Sequence, residues 1–395
     1  MATVIATSGM KGSAGESYGL AKKAAEKALK DLGRKADLAV VYCDVSYDAR
    51  EVVRAVREVT GAPLAGCTSY GEFTERGNET GSIAISLISS DDMKFFSAMA
   101  KGLKEDSEAA AEELKRSLPS KVEGFPDLYG LIYLDGLTGR GEEISLSISM
   151  GFDGIPLIGG GAADMSGRES FVFSDDAVAS DAVVLCIIAS RKPLGMGVAH
   201  GMSVKFGPLK VTKAKENVVF ELNGKAAWEV WKAVVAEDAK KTFGIDTSRL
   251  GMGLEDLASI LVNYLPAIRL DGSIYKIRAV FSVTEDGAMV FMCGVPQESE
   301  LYVMGYTREN MIESAGIAAE AANKSIGGKV SGVLIIDCAA REMILGKDFP
   351  EALNEFRRVF RVPIFGFGAM GEIYMARGQF SGFHNATSVV LALPE

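Results

Sequence analysis

Pro63-Leu-Ala-Gly-Cys-Thr-Ser-Tyr-Gly-Glu72 is the stretch that decides the architecture, because the chain contains two relatives of it. They are Pro156-Leu-Ile-Gly-Gly-Gly-Ala-Ala-Asp164 and Pro363-Ile-Phe-Gly-Phe-Gly-Ala-Met-Gly-Glu372. Each copy runs proline, an apolar residue, any residue, then glycine, and the first and third finish in Gly-Glu. Proline fixes φ and glycine admits φ > 0, so each copy reads as a rigid glycine turn that follows a helix.

The flanks of the three copies match as well. Upstream lies a short apolar run ending in an acid: Asp37 to Asp44, Asp127 to Asp135 and Gly332 to Asp337. Such runs read as strands buried on both faces. Helical stretches follow at Ala49 to Thr60, Gly141 to Met150 and Phe349 to Phe360, and closing strands at Gly81 to Ile88, Ala182 to Ala189 and Thr387 to Leu393. In the second copy Phe171 to Phe173 reads as a strand forming a hairpin with Ala182 to Ala189 through Ser174 to Asp181. From strand-end acid to proline the spacings are 19, 21 and 26 residues, close enough for one unit with variable helix length. Gly15 to Leu32 adds an amphipathic helix.

Between the second and third copies the pattern changes. Glu221 to Ala236 reads as a helix carrying Trp228 and Trp231, which at three apart on one face suit a core more than a binding surface. Leu261 to Tyr306 reads as a β-meander, with Asp286-Gly287 as its hairpin signal. A break in periodicity at Lys192 to Gly201 places a boundary near residue 200, giving domains 1–200 and 201–395. The expected fold class is α/β, with mixed sheets built from repeated strand–helix–turn–strand units in two docked halves.

Bulk composition narrows the function. The 395 residues carry a net charge of −10, against a main role in gripping nucleic acid. No apolar run approaches the roughly 18 residues of a membrane span, and Met1 to Lys11 does not look like a secretory leader. The five cysteines, Cys43, Cys67, Cys186, Cys293 and Cys338, form no C-x-x-C pair, so neither a zinc knuckle nor a disulfide framework is indicated. A reducing cytoplasm is the expected setting. The turns match neither the P-loop nor the dinucleotide glycine order.

Chemically, the glycine turns can present backbone N–H groups to a ligand. Cys67, Thr68 and Ser69 add small polar side chains to the first, and its Gly71-Glu72 end places a carboxylate. Gly371 and Glu372 form the matched end of the third, with Arg341 and His384-Asn385 in the same copy. The middle copy lacks Gly-Glu and reads as structural.

These residues resemble the FIST domain family of bacteria and archaea. The first half is similar to the FIST N part through Ala39-Val-Val41 and Pro63 to Glu72. The second half is similar to the FIST C part through Val211-Thr212, Glu221 to Trp228, Asp337-Cys-Ala-Ala-Arg341, Gly366 to Glu372 and His384-Asn-Ala-Thr387. The resemblance implies a sensory ligand-binding module in signal transduction, with amino acids or related metabolites as ligands. It also implies a stand-alone form acting on a separate output protein such as a histidine kinase. A homodimer is compatible with the sequence. Ala369-Met370 stands where the family often has a small polar pair, which leaves the backbone as the contact there.

In the sensor reading Arg341 clamps a carboxylate, Glu372 holds an ammonium, and Asn385 supplies both a donor and an acceptor, with His384, Gly371 and Cys338 beside them. The third turn is the expected site and the first its nearest rival. A structural ion pair of Arg341 with Glu342, Glu351 or Glu372 is the plain alternative. Two other functions stay open. A cysteine nucleophile, Cys67 or Cys338, needs a base, and the histidines are His200 and His384. Haem-based gas sensing would use one of the same histidines as axial ligand. A non-enzymatic role with no obligatory cofactor and no metal is the expectation carried forward.

Overall fold

The computed structural model describes residues 3–395 apart from 165, 272 and 273. Residues 1 and 2 of the N-terminal stretch and 272–273 of the expected meander therefore lie outside the described residues. The chain forms two units. The first contains the residues up to His200, Ile312–Phe383 and Thr387–Glu395; the second contains Gly201–Met311 and His384–Ala386. This division differs from a single cut near residue 200, because the strands after residue 311 complete a sheet of the first unit.

The first unit is a threefold repeat, longer than the glycine stretches alone suggest. Each copy runs strand, helix, strand, helix, strand, a small hairpin and a closing strand. The opening strands are Val4–Met10, Met93–Lys101 and Gly195–Ala199, followed by helices Ser17–Leu32, Ser107–Ser117 and Arg308–Ile326. In the third copy residues 201–307 are inserted between opening strand and helix, so the stretch read as a break at 192–201 holds a repeat strand. The central strands are Leu38–Asp44, Asp127–Asp135 and Val330–Cys338. Each pairs in parallel with its glycine stretch: Leu64–Ser69, Leu157–Ala162 and Ile364–Ala369. Each also pairs antiparallel with its closing strand: Ile83–Ser89, Ala182–Ser190 and Ser388–Pro394.

Two expectations are corrected here. The glycine stretches are not turns but fully buried strands, with the proline just before them. Their glycines answer a close approach: a Cβ at Gly66 would stand 1.9 Å from the Val41 carbonyl oxygen, at Gly159 1.8 Å from that of Ile132, and at Gly366 2.4 Å from that of Ile335. Parallel register also shows that the strand-end position of Asp44 and Asp135 falls to Cys338 in the third copy. The three face Ser69, Ala162 and Ala369, while Asp337 aligns with Cys43 and Leu134.

The copies are joined by a cyclic exchange. The hairpin of the first, Glu72–Thr74 with Gly77–Glu79, extends the third sheet. That of the second, Val172–Ser174 with Ala177–Ala179, extends the first sheet. Glu372–Met375 of the third extends the second. The expected hairpin between Phe171–Phe173 and Ala182–Ala189 is thus split between two sheets. Backbone bonds at each seam repeat the pattern: Thr68 N donates to Phe171 O and Ala163 N to Thr68 O; Gly161 N donates to Gly371 O and Met370 N to Gly161 O; Gly368 N donates to Gly71 O and Tyr70 N to Gly368 O.

The central strands are buried on both faces, which explains their unbroken apolar runs. Val40, Tyr42, Leu131, Tyr133, Leu334 and Ile336 meet in one core drawn from all three sheets. There the Tyr42 and Tyr133 hydroxyls are hydrogen-bonded at 2.7 Å and the Tyr42 ring stacks on Phe365. The alternate residues Ala39, Val41 and Cys43 pack under Ala21, Ala24, Ala28, Val52 and Val56 of the covering helices. Fully burying a valine of that set contributes about 1.5–3 kcal/mol relative to exposure. Helix Ala49–Thr60 is capped by Asp48, which accepts from Arg50 N and Glu51 N, and ends at Gly61 with φ +60.

The second unit is one eight-stranded sheet with helix Ala227–Phe243 on it. Trp228 and Trp231 stack at 5.4 Å inside its core. The Asp286-Gly287 hairpin forms as expected, with Val283 opposite Met289. Within the expected meander Ile274–Ile277 and Val280–Val283 are separate strands, which join different neighbours.

The close approach yields a stability test. Gly159→Ala should lower stability by about 1–3 kcal/mol or more, since the clash is with backbone. Gly19→Ala, in open space at an exposed position of helix Ser17–Leu32, should gain about 0.5–1 kcal/mol. Urea midpoints for the two variants measure the contrast.

Candidate functional site

The seams place the matched glutamates. Glu72 sits opposite Phe367, Glu372 opposite Gly160 and Val172 opposite Cys67. These partners directly follow the equivalent glycines 366, 159 and 66, so Glu72, Glu372 and Val172 share one position. The residue before each closing strand's pairing supplies the partner group. Ser82 N and Oγ donate to Glu72 Oε2 at 3.1 and 2.6 Å; Thr387 N and Oγ1 donate to Glu372 Oε2 at 3.1 and 2.7 Å. In the second copy the pair is Val172 with Ala182, both in the apolar core. The middle copy, expected to be structural, has thus exchanged a buried carboxyl and hydroxyl for two apolar side chains.

Both glutamates are almost wholly inaccessible, at 2% and 0% exposure. Burial pushes each carboxyl up to about 8, against the pull of the hydrogen bonds from Ser69 and Ser82 on Glu72 and from Thr387 and Cys338 on Glu372. Ser69 Oγ also donates to Glu72 Oε1. A third carboxyl, Glu342, lies beside Gly71 and accepts from Asn78 Nδ2 at 3.2 Å; burial raises it to about 7.

Glu72 adjoins open space. It lines a cavity of about 200 Å³ with Thr74, Arg76, Asn78 and Glu79 of the exchanged hairpin and with Gly9, Ser82 and Ala84 of the first sheet. Arg76 is more than half exposed, 3.6 Å from Glu75. Thr7 Oγ1 donates to Glu75 at 2.6 Å and Lys11 Nζ to the Thr80 carbonyl at 2.8 Å, tying the hairpin region to the opening strand and the residue after it. At the third-copy position the Phe383 ring packs against Gly371, where a Cβ would meet it at 2.2 Å.

The remaining residues singled out from sequence fall as follows. Arg341 is fully buried; its Nε donates to Asp337 Oδ1 at 2.7 Å and it also donates to Ser314 Oγ at 2.8 Å. Asp337 accepts from Ser388 Oγ as well, at 2.7 Å. Asp337 is thus an ion-pair acid of Arg341 beyond the set Glu342, Glu351 and Glu372 considered from sequence; spaced four apart, the two meet where strand passes into helix Ala339–Leu345. Breaking such a pair strands a buried charge. Cys67 and Thr68 lie in a seam, both buried, and burial drives the Cys67 thiol well above its ordinary value, the reverse of an activated nucleophile. Cys338 is buried beside Glu372. Gly371 takes φ +88 at the third seam. Asn385 and His384 group with the second unit, where Asn385 Oδ1 accepts from Ala279 N at 2.9 Å. The third-copy set is therefore divided between two units, while Glu72, Gly71, Cys67 and Thr68 remain together in the first.

Sequence reasoning did not reach Ser82, Arg76 or Asn78, and it named Ser69, Thr387 and Glu342 without linking them to the matched glutamates. A signal existed for two of them: a hydroxyl residue stands just before the closing strand in the two copies that keep Gly-Glu.

A repeat of β-α-β-α-β units that keeps two carboxyls at its seams, joined to an antiparallel second unit, defines a two-part α/β module. Residues 37–225 match the FIST N domain and residues 227–375 the FIST C domain. The chain belongs to the FIST family, whose domains are associated with sensory signal transduction. It is similar to an uncharacterised protein of Methanocaldococcus jannaschii, 24% identical over 310 residues, covering 75% of this chain and 58% of that protein. The chain thus spans little more than half the length of that relative. Among solved structures it is similar to a cyanuric acid hydrolase from A. caulinodans, 11% identical with a TM-score of 0.27 over 48% of this chain and 72% of that one. A further cyanuric acid hydrolase structure is 10% identical, with a TM-score of 0.30 over the full length of both chains. Among the described residues no helix is long and apolar enough to cross a membrane.

The raised carboxyls imply a definite pH dependence. Folded Glu72 and Glu372 keep their protons up to about 8, whereas the unfolded chain releases them near 4.5. The stabilisation is fully present below about 4.5 and is lost as pH rises to about 8. Wild type should therefore lose stability from pH 5 to pH 8 relative to an E72Q/E372Q variant, in denaturation at each pH. Parallel profiles would contradict the assignment.

Proposed function

We propose that the chain is a sensory module whose first unit binds an amino acid or similar small metabolite beside Glu72 and reports it to a separate signalling protein such as a histidine kinase. The observation that carries this reading is the cavity's lining: an acid and a guanidinium, Glu72 and Arg76, border the same space of about 200 Å³. That volume lies below the roughly 300–1,000 Å³ of drug-sized pockets and suits a metabolite of a few heavy atoms. Arg76 can take a carboxylate through two N–H groups. Glu72 offers oxygens to an ammonium, and Asn78 both donates and accepts.

The family's sensory association supports the role, and the cavity lies under a hairpin that one copy lends to another's sheet. Occupancy would then alter how the first and third sheets are held together, which gives binding a route to an output surface.

Thermal-shift measurement against the twenty amino acids and simple amines tests this. At least one small member should raise the melting temperature, and Arg76→Ala should weaken its binding about tenfold to a hundredfold, as expected for losing hydrogen bonds to a charged group. No shift with any compound, or an unchanged affinity in the variant, would count against the site.

A further inference from the structure

We infer, on the reading that the cavity beside Glu72 is the ligand site, that it selects a protonated amine and exchanges it for the proton of the Glu72 carboxyl. The shell around Glu72 is built for both states of that group. Ser69 Oγ and Ser82 Oγ are rotatable hydroxyls, able to donate to a carboxylate or to accept from a carboxylic acid. Only the Ser82 N–H is a fixed donor. Proton loss therefore needs hydroxyl rotation and no backbone movement.

The charges facing Glu72 agree. Asp44, Cys43 and Tyr47 lie on the first copy's central strand and the segment after it, and Cys67 on its glycine strand; Asp44 and Cys67 are each coupled electrostatically to Glu72 or to the groups beside it. Arg76 and Glu79 face the cavity from the hairpin. Of the cavity's lining residues Arg76 alone is cationic, and it is more than half exposed beside Glu75. Among the described residues lining the cavity, none is a buried cation that would hold this carboxyl ionised, in line with its raised value of about 8. An ammonium entering the cavity supplies that cation. The exchange balances simply: R–NH3⁺ and Glu–COOH become R–NH3⁺ paired with Glu–COO⁻, and one proton passes to solvent. No covalent bond to carbon changes.

The third copy supports the assignment to the first. Its glutamate has the same hydroxyl and N–H partner in Thr387, but the Phe383 ring crowds the adjoining glycine and brings an apolar face where the first copy has Asn78.

Isothermal titration of the full chain tests the inference, with glycine, alanine, ethylamine, propionate and the compound of largest thermal shift as probes. Ethylamine and the amino acids should bind and propionate should not. Titration at pH 7 in Tris and in phosphate should show close to one proton released per ligand. Affinity should rise about tenfold per pH unit up to about pH 8 and then level off. Glu72→Gln, which matches the protonated side chain in shape, should abolish the proton release and flatten the pH dependence. Binding with no buffer dependence in wild type, or propionate binding as well as ethylamine, overturns the proton exchange while leaving the ligand site standing. No heat with any probe overturns both. The wild-type buffer comparison decides the matter even if the variant folds poorly.

Discussion

Three equivalent amide-to-carbonyl exchanges, centred on Thr68, Gly161 and Gly368, hold the first unit together. Each lets the segment after one copy's glycine strand bond to the glycine strand of another copy, and the series closes: first to third, third to second, second to first. No copy completes its own sheet. The seam accounts for Gly161, where a Cβ would stand 2.4 Å from the Met370 carbonyl oxygen of the third copy, while Gly66, Gly159 and Gly366 answer the central strand of their own copy. It also accounts for the shared core, in which Tyr42, Tyr133 and Ile336 occupy corresponding positions on three sheets.

The same seams create the chemistry. A side chain at the start of each exchanged hairpin is carried away from water and towards the residue preceding its own closing strand. Where that pair is glutamate with serine or threonine, a carboxyl is held buried and protonated well above its ordinary range. Where it is Val172 with Ala182, the position is plain core. A buried carboxyl costs stability that an apolar pair does not, so keeping two of them in a repeat that tolerates the apolar form is what a functional position looks like. The hairpin 72–79 then joins chemistry to architecture: it lines the cavity with Glu72, Arg76 and Asn78 while its backbone belongs to the third sheet.

Much of this was legible in the sequence. The threefold unit was visible in Pro63, Pro156 and Pro363 with their glycines, and the matched Glu72 and Glu372 stood out by position. The opening strands were not visible: Gly195–Ala199 reads as a glycine-rich break, and its helix lies more than a hundred residues later, beyond the inserted second unit. The glycine strands read as turns because close backbone approach and φ > 0 call for the same residue. Arg341 invited a ligand role because an arginine after a buried strand gives no local sign of its partners; one of them is the acid four residues earlier, used in sequence to mark the strand end. Register also shows that this acid does not hold the strand-end position of Asp44 and Asp135, and register is a property of paired strands, not of one.

Amide hydrogen exchange tests the central claim most directly. Thr68, Gly161 and Gly368 donate the three equivalent seam bonds. If the cyclic exchange holds the unit as one cooperative body, their amides should fall in the same, slowest class and respond together to denaturant. An amide in one seam that exchanges orders of magnitude faster than the other two, with its own denaturant dependence, would show that the copies are held separately and would contradict the account.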